Sequence, residues 1–440
     1  MNLNVDELES KGSAGPGVVV REPPAAPNAA EARPPTVPGA PDTLGAPRAT
    51  STPDAPSVGG REGESGPGLR KPSPLVPWAV AVAATGFYCG LAAVYWDRAA
   101  GFTNDAGDYM RLAQHPLRFT RAPFGFRVLT PWIVWLSHAN PSYFFAAVTI
   151  VSLAVASALL YMYLLELYSG GVAMFGTALF VVSPTTLIEL KNPVDVDALF
   201  LAMMVLAFLA LVRRRWWVLG VALVIGTLDK ESMLFVLLPV LLVGLLDYRL
   251  RPWRRWVALV AAPLFFYALI HYTTLVFNPL PTSYNYFSSA NISFVFRAQH
   301  VINGNSDGFS FLWSMIDTFG ALWLLAAMNF SKASRHVRRT TIFMIPVFLT
   351  VLLATDWARM LAVGFIVIIP LVCAGGLRRP VAVVLLFFSY DALVAEGLNN
   401  SRLHVSYGLE VPLIAVSVLA ALVVGWGRVR RPARVPQPVP

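Results

Sequence analysis

Charge is scarce in this sequence. Asp, Glu, Lys and Arg make up 13% of its 440 residues, about half the share of a soluble domain. With 56% hydrophobic residues and a mean hydropathy of +0.59, the chain cannot cover a water-facing surface, which excludes a soluble enzyme. Cysteine is scarcer still. Cys89 and Cys373 are the only two, which excludes a disulfide scaffold, and both fall in apolar runs, where they read as small buried hydrophobes. His271, His300 and His404 lack metal-ligand spacing, and no Walker loop, GxSxG elbow or GxGxxG is present. No fixed-period repeat stands out.

What is there divides into two compositions. Residues 1–75 hold 14 of the 34 prolines and have 7 Lys/Arg against 9 Asp/Glu. This segment lacks the apolar h-region of a signal peptide. It buries too little apolar surface to offset its ordering entropy, so a disordered tail is expected. From residue 76 to about 430 the chain is a series of apolar runs, and 431–440 is a short polar end. The fold expected is all-α, a polytopic transmembrane helix bundle of about 12 spans. They fall near 76–96, 142–168, 172–190, 197–212, 216–228, 232–246, 256–277, 309–330, 342–354, 361–377, 381–396 and 409–426.

The charges sort by side. Clusters at 213–215, 249–255, 332–339, 378–379 and 428–434 alternate to one face, which carries 17 Lys/Arg and 2 acids, Glu166 and Asp247. The opposite face carries 10 Lys/Arg and 14 acids. The positive-inside rule makes the first face cytoplasmic, with both termini inside an inner or plasma membrane. The basic excess is thereby explained by the lipid bilayer, with no nucleic acid partner required.

The acid-rich outer face holds the candidate chemistry. In its first loop, Asp105 and Asp108 are three apart and share a helical face. Two such carboxylates suit a general base with an orienting partner, or a cation such as Mg2+ or Mn2+; a plain helix N-cap at Asp105 fits the same residues. The loop also carries Arg98, Arg111, Arg118, Arg121 and Arg127, against the positive-inside trend. Their planar forks suit phosphate, while salt bridges to nearby acids or contacts with lipid headgroups would also account for them. In the second turn, Glu189 to Asp197, Asn192-Pro193 breaks the helix. Asp195 and Asp197 read best as N-caps there, and Lys191 is placed to reach an anion.

The third turn, Thr227-Leu-Asp-Lys-Glu-Ser232, sets three consecutive charges between short apolar helices, which is costly unless they line a polar cavity. Lys230 is either neutralised by Asp229 and Glu231 or offered to a ligand. In a later turn Asp356 and Arg359 are spaced to pair on one helical face, as a structural bridge or with Arg359 held ready for an anion. The segment 278–308, rich in Tyr, Phe, Asn and Ser, suits sugar stacking or an interfacial belt.

These elements together resemble the GT-C superfamily of integral membrane glycosyltransferases. Asp105-Ala-Gly-Asp-Tyr-Met-Arg-Leu-Ala113 is similar to an Asp-Gly-Gly-x-Tyr-x-x-Ile-Ala pattern of some members, with Asp105 at the carboxylate position and Tyr109 at the aromatic one. Phe126-Arg-Val-Leu129 resembles a Tyr-Arg-Val-Leu-x-Pro element of bacterial members. Leu228-Asp-Lys-Glu-Ser232 resembles a Thr-Lys-Glu turn, and Asp356 to Arg359 an outer Asp-x-x-Arg element. The resemblance covers residues 76–430 and lacks the large C-terminal outer domain of some members. It implies a polyprenyl-phosphate sugar donor and a glycan, lipid or protein acceptor. Asp105 would be the general base and Asp108 an orienting or metal-binding carboxylate. Tyr109, Arg127, Lys191, Lys230, Glu231, Asp356 and Arg359 would bind substrate. Two other classes fit parts of the pattern: a secondary transporter or lipid flippase, and a cell-envelope polysaccharide polymerase or ligase.

Overall fold

The structure is a computed structural model and describes residues 73–95, 105–116, 126–248, 252–277, 315–316, 318–351, 357–376, 380–403 and 410–426. The tail expectation for 1–75, the 278–308 segment and Asp356 therefore lie outside the described residues, apart from Ser73–Leu75. The described residues form helices and no strand. In chain order these are α1 (Val76–Tyr95), α2 (Asp105–Gln114), α3 (Leu129–Leu136), α4 (Pro141–Leu165), α5 (Gly170–Val181), α6 (Pro184–Lys191), α7 (Asp197–Val212) and α8 (Trp216–Asp229). A 3₁₀ turn (Glu231–Val236) leads into α9 (Leu237–Tyr248) and α10 (Trp253–Phe277). Then follow α11 (Leu322–Asn329), α12 (Arg335–Thr340), α13 (Met344–Val351), α14 (Trp357–Ala362), α15 (Phe365–Cys373), α16 (Pro380–Leu403) and α17 (Glu410–Trp426).

Among the described residues, four helical stretches are long and apolar enough to cross a membrane: Val76–Ala93, Pro141–Leu165, Gly170–Lys191 and Trp253–Thr273. Shorter apolar helices add Asp197–Val212, Trp216–Asp229, Pro380–Asp391 and Ile414–Val424. Two of the expected spans are broken. The 172–190 run divides at Ser183, because Pro184 opens a new helix at its first position. The 232–246 run starts as a 3₁₀ turn after Lys230 takes an extended backbone. The first outer loop, whose Asp105 and Asp108 are spaced to share one helical face, contains the largely buried helix α2, and the apolar α3 follows at Leu129.

The core sits around α4 and α7. Phe200, Ala202, Ala207, Phe208, Leu209 and Ala210 of α7 are buried around the whole helix, as expected of a central element. Its neighbours α4 and α8 run beside it, and α1 packs on α4. By contrast α1 and α10, both long and apolar enough to cross a membrane, turn Trp78, Val82, Val257 and Phe265 outward. Hydroxyls inside the bundle bond to a carbonyl one turn back: Thr85 to Ala81 at 2.8 Å, Ser157 to Leu153 at 2.9 Å, Thr227 to Leu223 at 2.7 Å. Gly244 lets α9 approach α10; a Cβ there would lie 2.6 Å from the Trp256 ring.

Cys373 is buried as expected, but Cys89 is exposed on α1. An apolar run in a membrane protein marks contact with lipid as readily as with protein, so hydrophobicity alone does not place a residue inside.

The two charge classes separate in space as they do in sequence. Glu166 accepts from Arg213 at 2.7 Å, and Asp247 pairs with Arg339, so the two acids of the basic face find arginines of that same face. The acids of the other face meet one another's partners, at the opposite end of α7. Sixteen residues at about 1.5 Å each put roughly 24 Å between these ends.

Candidate functional site

Four segments converge at that second end: α2 with the residues before α3, the turn from α6 into α7, the turn after α8, and α14. Lys230 is the hinge of the third segment. Its φ of −152° and ψ of 130° are extended, so successive side chains leave in opposite directions. Asp229 Oδ1 accepts from the Thr130 amide at 3.2 Å and the Thr130 hydroxyl at 2.6 Å. The Lys230 ammonium donates to Asp197 Oδ2 at 2.6 Å and lies 5.6 Å from the centre of the Phe200 ring. Glu231 receives Arg127 as a fork, with Nε donating to Oε2 at 2.9 Å and Nη2 to Oε1. Lys230 is thus paired with neither of its sequence neighbours.

Arg127 also donates through Nη1 to the Tyr109 hydroxyl at 2.8 Å. That bond ties α2 to the cluster. Tyr109 is fully buried, so it acts here as a hydrogen-bond partner of Arg127. Asp108, one residue earlier, is buried as well. Asp105 opens α2, so positions 105 and 108 lie one turn apart on its backbone; the Asp105 side chain lies outside the described residues.

Arg359, from α14, reaches across to the second turn. Its Nε donates to Asp197 Oδ2 at 2.7 Å and lies 4.0 Å from Glu189 Oε1, and its Nη1 forms an ion pair with Asp195 Oδ2 at 3.2 Å. Asp195 also accepts from Asn192 Nδ2 at 3.1 Å. The N-cap reading of Asp195 and Asp197 is therefore overturned. The residue at the cap of α7 is Val196, and no side chain caps it. Both aspartates can face one guanidinium because Asp195 precedes the helix, where helical spacing does not apply. Lys191 ends α6 half-buried.

The result is a largely buried constellation of three cations, Arg127, Lys230 and Arg359, and five acids, Glu189, Asp195, Asp197, Asp229 and the half-buried Glu231. Acids outnumber cations, and the carboxylate oxygens Glu189 Oε2, Asp197 Oδ1 and Asp229 Oδ2 are buried with no hydrogen-bond partner among the described residues. Burial pushes the Lys230 ammonium below its ordinary pKa, and the attraction of Asp197 only partly offsets this. Burial would raise Glu231, but the Arg127 fork outweighs it and holds the carboxyl below the usual range. Burial pushes the Tyr109 phenol well above its ordinary value, so it stays protonated.

Glu231 is the most open member, with its side chain 34% exposed. It lines a small pocket with Phe126, Thr227, Tyr267 and His271, where the Phe126 and His271 rings stack at 3.7 Å. The pocket holds about 10 Å³, room for about one water.

Among the described residues, no three His, Cys, Asp or Glu side chains gather as a metal site. The Asp105 side chain lies outside the described residues.

Sequence reasoning singled out Arg127, Lys230, Glu231 and Arg359, and the structure brings these four together. It missed Glu189, Asp195, Asp197 and Asp229 as members of the same cluster. The signal for the last three was available: acids at helix breaks on the outer face, in turns opposite buried cations. Comparison of the chain with protein-family models, with curated proteins and with solved structures finds no match.

Proposed function

We propose that the chain is an integral membrane glycosyltransferase that moves a sugar from a polyprenyl-phosphate donor to an acceptor on the outer face. The observation that carries this reading is the convergence of Arg127, Lys230 and Arg359, from three separate segments, on carboxylates at one end of an apolar bundle. In this reading the bundle has about 12 spans, both termini are cytoplasmic, and the cluster opens outward. A phosphate on a lipid carrier has to meet fixed cations at a depth where water does not screen them. Carboxylates that hold those cations in place supply the preorganisation.

The reaction is a single displacement. The acceptor hydroxyl attacks the anomeric carbon while a carboxylate, Asp105, takes its proton. The bond from the anomeric carbon to the phosphate oxygen breaks, and polyprenyl phosphate leaves with the electron pair. The configuration inverts. General-base assistance of this kind is worth about 100- to 10,000-fold. Arg127, Lys230 and Arg359 stabilise the departing phosphate, and Tyr109 holds Arg127 to the helix that carries Asp105 and Asp108. Lys191, Glu231 and Asp356 complete the substrate-binding set, the last two by positioning Arg127 and Arg359.

A transporter is the second reading. The breaks at Ser183–Pro184 and at Lys230 put short helical pieces, α6 and the 3₁₀ turn, beside the charge cluster, as discontinuous helices do in carriers. One experiment separates the two. Purified protein is incubated with polyprenyl-phosphate sugars and a detergent-soluble acceptor, and in parallel reconstituted in vesicles for uptake. Release of polyprenyl phosphate with sugar transfer supports the enzyme. Uptake without release rejects it.

A further inference from the structure

At the end of the bundle opposite the charge cluster, an open groove of about 960 Å³ runs between α8 and α10. Its walls are apolar, with Val221 of α8 facing Ala258 and Phe266 of α10, and its mouth is basic, with Arg214, Arg215 and Arg255. We propose that this groove binds an anionic phospholipid of the surrounding leaflet. Its headgroup phosphate sits among the three arginines and one acyl chain lies along Val221, Ala258 and Phe266.

Charge complementarity selects this occupant. Arginine forks match phosphate oxygens in pairs. α8 and α10 both begin at the mouth, so the positive ends of two helices add to the same field. Among the described residues the acids of this end are Glu166 and Asp247. They pair with Arg213 and Arg339, and among the described residues neither pairs with Arg215 or Arg255, which keep the mouth basic. The Arg255 guanidinium lies 5.9 Å from the centre of the Trp216 ring, a cation–π contact that keeps it at the mouth. A free anion would gain nothing from the apolar walls, whereas a lipid uses both parts.

The backbone adds an independent observation. Arg214 has a φ of +57°, the left-handed region that glycine occupies freely and arginine does not. The Arg214 amide donates to Leu211 O at 3.2 Å and the Arg215 amide to Ala210 O at 2.9 Å. This is the Schellman closure of α7, whose left-handed position is ordinarily glycine. An arginine in that place spends backbone energy to keep a cation at the groove mouth. A strained residue of this kind is a fair marker of function.

The test measures lipid retention by native mass spectrometry after exchange into detergent with dioleoyl phosphatidylglycerol or dioleoyl phosphatidylcholine. Thermal melting of each variant checks its fold. Wild type retains phosphatidylglycerol in preference to phosphatidylcholine. Arg215→Gln or Arg255→Gln lowers that retention about fivefold, the worth of one arginine near an anionic headgroup. Arg214→Gly lowers retention similarly while melting at an unchanged or higher temperature, since the backbone strain is relieved; a purely structural arginine would leave lipid retention alone. Val221→Trp fills the groove without changing charge and also lowers retention. Arg335→Gln with Arg338→Gln, exposed arginines away from the groove, leaves retention unchanged. The proposal is overturned if that control pair loses as much phosphatidylglycerol as the mouth variants, or if the filled groove retains it like wild type.

Discussion

The ammonium of Lys230 and the carboxylate of Asp197 meet at 2.6 Å with side-chain exposures of 1% and 4%, and the same Asp197 oxygen also accepts from Arg359 at 2.7 Å. One carboxylate thus holds two cations from two different turns. Removing it leaves both cations facing each other in a buried site, whereas removing Lys230 leaves Asp197 still bound to Arg359. Breaking a buried pair by deleting one partner costs about 3–5 kcal/mol. Asp197→Asn is therefore expected to carry that full loss and Lys230→Met distinctly less. Thermal melting of the two purified variants checks the order. Equal losses would mean that Arg359 does not share the carboxylate. Because Lys230→Met should stay folded, it also tests donor binding, which should weaken while acceptor binding stays unchanged.

The Arg127 fork onto Glu231 gives the protein an acid-sensitive element. Burial alone would raise the Glu231 pKa, but Arg127 holds it below the ordinary 4.5. A carboxyl with a depressed folded value contributes stability that is complete above the ordinary value and is lost as pH falls through the folded one. The melting temperature of wild type should fall as pH drops from about 5 toward about 3. Glu231→Gln starts from a lower stability and should show a shallower fall across that window. Parallel curves for the two proteins would assign the acid sensitivity to other carboxylates.

Sidedness can be read by cysteine labelling. The exposed Cys89 is first replaced by serine, the buried Cys373 is left in place, and one added cysteine at a time is then placed at 105, 251 or 399. Positions 105 and 399 should react with an impermeant maleimide from outside intact cells, and 251 only after permeabilisation. Reaction at 251 in intact cells would reverse the proposed topology.

Much of this site was legible in the sequence because membrane chains confine charge. A charge in an apolar chain needs a partner, so Lys230, Glu231 and Arg359 stood out in their short turns, while Arg127 was one of five arginines in its loop and was distinguished by the resemblance of Phe126 to Leu129. Their pairing did not. Lys230 sits between two acids in sequence and binds neither, because its extended backbone sends Asp229 to Thr130 and Glu231 to Arg127. Arg359 pairs with Asp195 and Asp197 across 162 residues of chain for the latter, a separation that no local spacing rule reaches. The helix starts were easier: α7 begins at Asp197, as its apolar run does. The breaks were harder, since Ser183-Pro184 interrupts a run whose hydrophobicity is continuous.

The sharpest expectation concerns Asp105 and Asp108, one turn apart on α2. If Asp105 is the general base, Asp105→Asn keeps the shape of the side chain and removes only the proton acceptor. Asn also caps a helix about as well as Asp, so stability should remain near wild type. Sugar transfer should fall by at least about 100-fold, the low end for loss of a general base, while donor affinity changes little. Asp108 is buried, so Asp108→Asn is expected to cost about 1–3 kcal/mol of stability as well, and its turnover must be compared at a temperature where it is folded. Transfer and donor binding are measured for wild type and both variants. Near-normal transfer by Asp105→Asn rejects it as the base, and a loss confined to folded Asp108→Asn moves the role one turn along the same face. Full activity in both would move the proton acceptor to the buried carboxylates of Glu189, Asp197 and Asp229, whose second oxygens have no hydrogen-bond partner among the described residues.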